Sequence, residues 1–362
     1  MRSLSPLLTC AAGLAFLFLV GAPSVAQAQS CSSPFFVEQR FPVSGTEETR
    51  WRLCWEMRNR NGLIIRDAWF RKAPNAPWVK VIYDARVAEI FVPYHTGSPR
   101  FLDMSGFNFG SATLTDKHCP RGVGGTLLSR DVCKEVRDRG LAWNDDSEVR
   151  RGQELVLWGV IDAANYNYVI EWTFRDDGVI LGRVGATATN LPGIPLEAHM
   201  HGPIWRLDID LNGAGGDSAH LSTHTESFLG LTATDTDPII AREGGRVWSA
   251  PRYNAIHIHD SNLRNANNHH SGYMLIPLRN GTPRHQENFT KNDFWVSRYR
   301  STELAGASVP SYVAPAEPTV NTDNVIWYYG GAHHIPRDED GEHVNGRFEP
   351  LVAHVMWTGF ML

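Results

Sequence analysis

Asn165-Tyr-Asn-Tyr-Val-Ile-Glu-Trp-Thr-Phe-Arg175 alternates in polarity, and that alternation decides the fold class. Tyr166, Tyr168, Ile170, Trp172 and Phe174 share one face. Asn165, Asn167, Glu171, Thr173 and Arg175 share the other, with Val169 the one exception. Successive side chains of a strand point to opposite sides, so the pattern predicts a half-buried β-strand. Asp177-Gly178 follows and Val179-Ile-Leu181 resumes, which is a hairpin signal. Further along, a second alternating run starts at His199. His199, His201, Trp205, Leu207, Ile209 and Leu211 fall on one face, and Arg206, Asp208 and Asp210 on the other. Short β-rich runs recur at 62–66, 88–92, 154–158 and 324–328, with no long amphipathic helix between them. The fold class expected is all-β, one large antiparallel β-sandwich without a linker or internal repeat. The Pro-rich stretch 309–322 reads as a long loop.

Composition agrees. The 362 residues carry 34 Lys+Arg against 39 Asp+Glu, a net charge of -5, and 32 Gly with 21 Pro suit a turn-rich β protein. At 42% hydrophobic and 20% charged, the chain is neither disordered nor a multi-span membrane protein. The mild acidity excludes the basic face that nucleic acid requires.

Residues 1–28 read as a secretory signal peptide: Arg2, a 14-residue apolar run at 7–20, then Ala26-Gln27-Ala28 as a small-x-small cleavage site. The run is too short to span a bilayer. The mature protein is therefore expected to be secreted or periplasmic. Cys10 leaves with the leader, and Cys31, Cys54, Cys119 and Cys133 remain, an even number in an oxidising compartment. Of three possible connectivities, the pairing of sequence neighbours, Cys31–Cys54 and Cys119–Cys133, is the expectation.

His199-Met-His201 places two imidazoles on one face of a strand, close enough to share a metal. His257-Ile-His259 has the same spacing. A third ligand for His199 and His201 is available in His333 or His334, after the strand at 324–328. Three imidazoles with open positions suit copper, zinc or iron, and the Irving–Williams order favours Cu(II).

The order of these motifs resembles the catalytic domain of the copper amine oxidases, which contain copper and topaquinone. The family's T-x-x-N-Y-[DE]-Y is matched by Asp162-Ala-Ala-Asn165-Tyr166-Asn167-Tyr168. Its H-x-H running into R-L-D is matched by His199-Met-His201-Gly-Pro-Ile-Trp-Arg206-Leu207-Asp208. Its H-F-P-R is matched by His334-Ile-Pro-Arg337. Ala88-Glu-Ile-Phe-Val-Pro-Tyr94 is similar to A-E-M-V-V-P-Y, and Asp293-Phe-Trp-Val-Ser-Arg-Tyr299 to D-L-W-V-T-[RK]-Y. The ordered set covers 51–362, leaving 29–50 as an N-terminal extension.

The resemblance implies oxidative deamination of a primary amine by O2, releasing aldehyde, ammonia and hydrogen peroxide, in a homodimer. It implies that Tyr166, preceded by Asn165, is the topaquinone precursor and that His199, His201 and His334 hold copper. Asp103 would be the catalytic base and Tyr94 a hydrogen-bond partner of the quinone. Asp208, Asp210 and Asp323 would form a peripheral calcium site, since hard carboxylate oxygens suit Ca²⁺. Departures from the pattern are Asn167 in place of an acid beside the reacting ring, Asp162 in place of Thr, and Leu102-Asp103-Met-Ser-Gly106 in place of F-D-x-G-E. The alternative is an exported copper-binding module whose Tyr166 stays unmodified.

Overall fold

The structure is a computed structural model that describes residues 31–44, 47–164, 166–187, 197–227, 229–281, 285–337, 343–344, 347–348 and 355–362. The expected signal peptide and Asn165 lie outside the described residues. Cys31–Leu362 forms one compact unit.

The alternation at 165–175 becomes the strand Tyr166–Arg175, whose Tyr166, Tyr168, Ile170, Trp172 and Phe174 are buried. It pairs antiparallel with Val149–Ala163 on one side and Ile180–Thr187 on the other. Gly178, at φ 91°, turns the hairpin between Phe174 and Ile180, a conformation that glycine takes without strain. The polar face differs from the expectation: Glu171 and Thr173 are buried too, because Arg183 donates to Glu171 and covers it.

Two sheets face each other. The 10-stranded sheet runs, edge to edge, Phe36–Ser44, Glu47–Arg58, Gly62–Arg71, Val79–Pro93, His199–Asp208, Asn324–Tyr329, Phe294–Arg298 and Gly244–Arg246. Arg100–Leu102 and Ala332–His334 add short pairings to it. The 11-stranded sheet places Tyr166–Arg175 and Ile180–Thr187 inside it, with Ala233–Thr236 and Thr126–Ser129 at its ends. This is the expected antiparallel sandwich. Residues of the N-terminal extension contribute Phe36–Ser44, which pairs with Glu47–Arg58.

Interdigitated aromatics bind the layers. Trp172 of one sheet meets Trp205 of the other edge-on at 5.2 Å, and Trp205 meets Phe360 at 5.2 Å. Such contacts add about 0.5–1.5 kcal/mol each beyond area burial. Cys31–Cys54 and Cys119–Cys133 are the two disulfides, closing loops of 23 and 14 residues. Each restricts the unfolded chain by about 3 kcal/mol in the loop-entropy account.

The His199–Asp208 strand was expected to have a polar side. It is buried throughout, because the second sheet lies against one face and the segment carrying Glu303, Gly306 and Val309 covers the other. Its charged residues are neutralised inside: Arg206 reaches Asp84 at 3.4 Å and Asp208 at 3.5 Å. In the 309–322 stretch the structure forms one helical turn, Val309–Tyr312, where a loop was expected.

Candidate active site

His199–Asp208 changes partner partway along. Ile204 to Asp208 pair with Asn324–Tyr329, whereas His199 to His201 pair with Ala332–His334. Gly202-Pro203 sits at the switch, where proline has no N–H to give a ladder. A Cβ on Gly202 would lie 2.5 Å from the Tyr329 ring, so this close approach needs glycine. The switch brings His334 directly opposite His199. By strand alternation His333 points away and packs its ring on His95 at 4.7 Å.

His199, His201 and His334 are all buried, and each offers a ring nitrogen within 4.8 Å of the others'. His199 donates from Nδ1 to the Glu197 carbonyl at 2.9 Å, which leaves Nε2 unprotonated and aimed inward. That Nε2 lies 3.1 Å from His334 Nδ1. His201 Nε2 is buried with no hydrogen-bond partner among the described residues. Burial lowers His199 to about 4 and His201 well below its usual range, so the rings are neutral at ordinary pH, as metal ligation demands. An orphaned buried nitrogen and two more directed at one space fit a nitrogen-preferring transition ion.

Two phenols from Tyr166–Arg175 meet this cluster. The Tyr166 hydroxyl is 2.9 Å from His199 Nε2. Tyr168 lies two residues on, hence on the same side. Its hydroxyl donates to Asp103 at 2.5 Å and lies 3.0 Å from His201 Nδ1. Tyr94 stacks on the His199 ring at 4.4 Å. Burial raises the Tyr94 phenol, partly offset by the neighbouring Tyr166, and its buried hydroxyl has no hydrogen-bond partner among the described residues.

Asp103 begins a single helical turn, Asp103–Gly106, and is buried. Burial lifts its carboxyl to about 7, the Tyr168 hydrogen bond lowers it, and Glu89 raises it. Glu89 is itself buried and raised by burial, although it accepts from the Ile90 and Met104 amides at 2.9 Å. It thereby fixes the turn that carries Asp103. A carboxyl poised near neutrality in a buried cluster suits proton abstraction.

Tyr168 and Glu89 were not singled out in the sequence, although both lie inside quoted motifs. The signal for Glu89 was a lone acid in the apolar run 88–92. For Tyr168 it was the i, i+2 spacing from Tyr166. Asn167 was expected beside the reacting ring. It is exposed on the opposite face, directly across from exposed Asp162. The two departures from the family's strand pattern therefore face each other outside the cluster.

Asp208, Asp210 and Asp323 offer carboxylate oxygens within 4.8 Å of one another. Burial raises all three, Asp323 to about 7, and repulsion within the trio adds to it at Asp208 and Asp323. Lys80 reaches Asp210 at 3.0 Å, while one oxygen each of Asp208 and Asp323 is buried without a partner among the described residues.

An antiparallel sandwich with a buried three-imidazole cluster beside two phenols and a raised carboxyl defines a narrow class of protein. Residues 136–345 match the profile described as copper amine oxidase, enzyme domain, and the chain belongs to that family. It is 25% identical over 336 residues to the histamine oxidase of Arthrobacter globiformis, covering 72% of this chain and 48% of that one. With the primary amine oxidase of Lens culinaris the identity is 22% over 379 residues, covering 83% and 57%. The fold is similar to a copper-containing benzylamine oxidase from Hansenula polymorpha (TM-score 0.65, 18% identity, 91% of this chain and 60% of that). It is equally similar to the Aspergillus nidulans amine oxidase (TM-score 0.65, 17% identity, 87% and 51%). The chain spans about half the length of the curated relatives it matches.

Proposed function

We propose that this chain is a primary-amine oxidase that uses copper and a topaquinone made from Tyr166. The observation that carries the reading is the Tyr166 hydroxyl 2.9 Å from His199 Nε2 inside the three-histidine cluster. His199, His201 and His334 would hold copper, and Asn165, which lies outside the described residues, is included only because it precedes Tyr166 in the motif. When bound, copper and the quinone would supply an electrophilic carbonyl and a two-electron sink that the amine fills and O2 empties.

The protein's own residues do the rest. Asp103, near 7 and buried, takes the proton from the carbon bearing the amine. Tyr168 holds that carboxyl in place by its hydroxyl and ties it to His201. Tyr94 wedges His199 by stacking on its ring, and its buried hydroxyl, without a partner among the described residues, is free to bond the oxidised Tyr166 ring. Burial excludes bulk water, which strengthens each of these contacts. Overall, amine, O2 and water give aldehyde, ammonia and hydrogen peroxide, and the atoms balance.

Asp208, Asp210 and Asp323 would take calcium, whose charge would relieve their repulsion. Two disulfides support export to a secreted or periplasmic location. Exposed Leu141, Trp143 and Val149 would give a homodimer an apolar contact.

The test is amine-dependent peroxide release by purified protein exposed to copper and air, with histamine and benzylamine among the amines tried. Peroxide in step with aldehyde supports the reading. Copper uptake without turnover of any amine, and with Tyr166 intact, would favour the binding-module alternative.

A further inference from the structure

His257-Ile-His259 lies far along the chain from the site above and is unused by the proposed chemistry. It sits on the strand Ala255–Arg264, which pairs with Asp217–Glu226 so that His220 is directly opposite His257. The arrangement repeats the first cluster: a His-x-His on one strand and a third histidine across an antiparallel pairing. The dimensions agree as well. Ring centroids of His220, His257 and His259 are separated by 4.5, 5.3 and 5.9 Å. Those of His199, His201 and His334 are separated by 4.6, 5.0 and 6.3 Å. Ala219, Ile256 and Ile258 point into the core, so the three histidines occupy the outer face, partly covered.

Hydrogen bonding leaves the ligand nitrogens ready. His220 donates from Nδ1 to the Asp237 carbonyl at 2.8 Å, and its Nε2 is buried without a partner among the described residues. His257 places Nδ1 3.1 Å from the Asp237 carboxylate, the outer hydrogen bond that metal-binding histidines carry. His259 Nδ1 is also buried without a partner among the described residues. The Asp237 carboxylate also accepts from the Ser222 hydroxyl, which holds it in place behind the rings. The neighbouring His270 is already committed, through Nδ1 to the Asp260 carbonyl at 3.1 Å, and stacks on His259 as a wall.

We infer that His220, His257 and His259 form a second site for a nitrogen-preferring divalent transition ion, separate from the buried cluster. His220 Nε2 and His259 Nδ1 are its core, and Asp237 is the positioning residue behind His220 and His257. The nitrogens here are not drawn together as closely as in the first cluster. Capture therefore requires side-chain rotation, and the ion binds less tightly than at the buried cluster.

The test is equilibrium dialysis of the whole protein against Zn²⁺, with excess Ca²⁺ present to occupy the aspartate cluster, followed by metal quantification. Two zinc ions per chain are expected in the wild type, and one in the His220→Ala/His259→Ala double variant. A single zinc in the wild type, or a second zinc that survives the double substitution, overturns the proposal. A second readout avoids variants altogether: Zn²⁺ should protect His220 and His259 of the wild type from diethylpyrocarbonate. Unchanged labelling of those two residues at saturating Zn²⁺ would equally overturn it.

Discussion

Two histidine triads of nearly equal size occupy this molecule, and their surroundings assign them different work. His199, His201 and His334 are buried between sheets, and phenols touch two of them: Tyr166 at His199 and Tyr168 at His201. His220, His257 and His259 sit on an outer face, where Asp237 orients two of the rings and no phenol hydroxyl is bonded to them among the described residues. The lesson is that the imidazole triangle alone specifies only a taste for metal. The proposed amine oxidation needs an oxidisable ring at the same point and a carboxyl poised near neutrality, and of the two triads the buried one has both beside it.

The sharpest way to break this contrast is to remove the ring. Tyr166→Phe should reduce amine turnover to background while copper stays bound; turnover that survives would show that the phenol is not the reactive group. His334→Ala should cost both metal retention at the buried triad and oxidation of Tyr166. His333→Ala should leave both intact, because that side chain faces His95. Metal analysis of the two variants side by side checks the register of the strand switch.

Next in size is Asp103→Asn, which should slow turnover by about 10²–10⁴-fold, the usual loss when a positioned general base is removed. In the wild type Asp103 must be ionised to act, so the rate should fall as pH drops below about 7 and level off above it. That acid limb should vanish in Asp103→Asn, as a pH–rate profile would reveal. Tyr168→Phe is smaller. It deletes a hydrogen bond to a charged group, worth about 1.5–3 kcal/mol. Because that bond lowers the Asp103 carboxyl, its loss should move the acid limb to higher pH. A limb that stays put would mean that Tyr168 does not tune the base. Smallest of all, His259→Ala should leave amine turnover unchanged.

Much of this was legible before any coordinates. Period-2 patterning at Tyr166–Phe174 gave the strand and its buried face, and cysteine parity gave both disulfides by nearest-neighbour pairing. Motif order brought His199, His201 and His334 together on paper. What stayed hidden depends on tertiary placement. The alternation after His199 suggested a solvated side, but the segment carrying Glu303, Gly306 and Val309 covers it, and Arg206 and Asp208 answer each other inside. Asn167 looked adjacent to Tyr166 in sequence, while the strand's pleat turns it outward. Tyr168 read as core packing because nothing in its own strand announces that Asp103, far back in the chain, will arrive within 2.5 Å of its hydroxyl. Local pattern fixes which way a side chain points, and only the assembled sheets decide what it meets.

The central claim is that the phenol beside the buried triad is converted in place. Mass spectrometry of the peptide containing Tyr166, taken before and after apo-protein is given copper in air, tests it most directly. The account predicts a gain of two oxygen atoms with loss of two hydrogens, confined to Tyr166 and absent in His334→Ala. An unchanged Tyr166 in copper-loaded, aerated protein would contradict it.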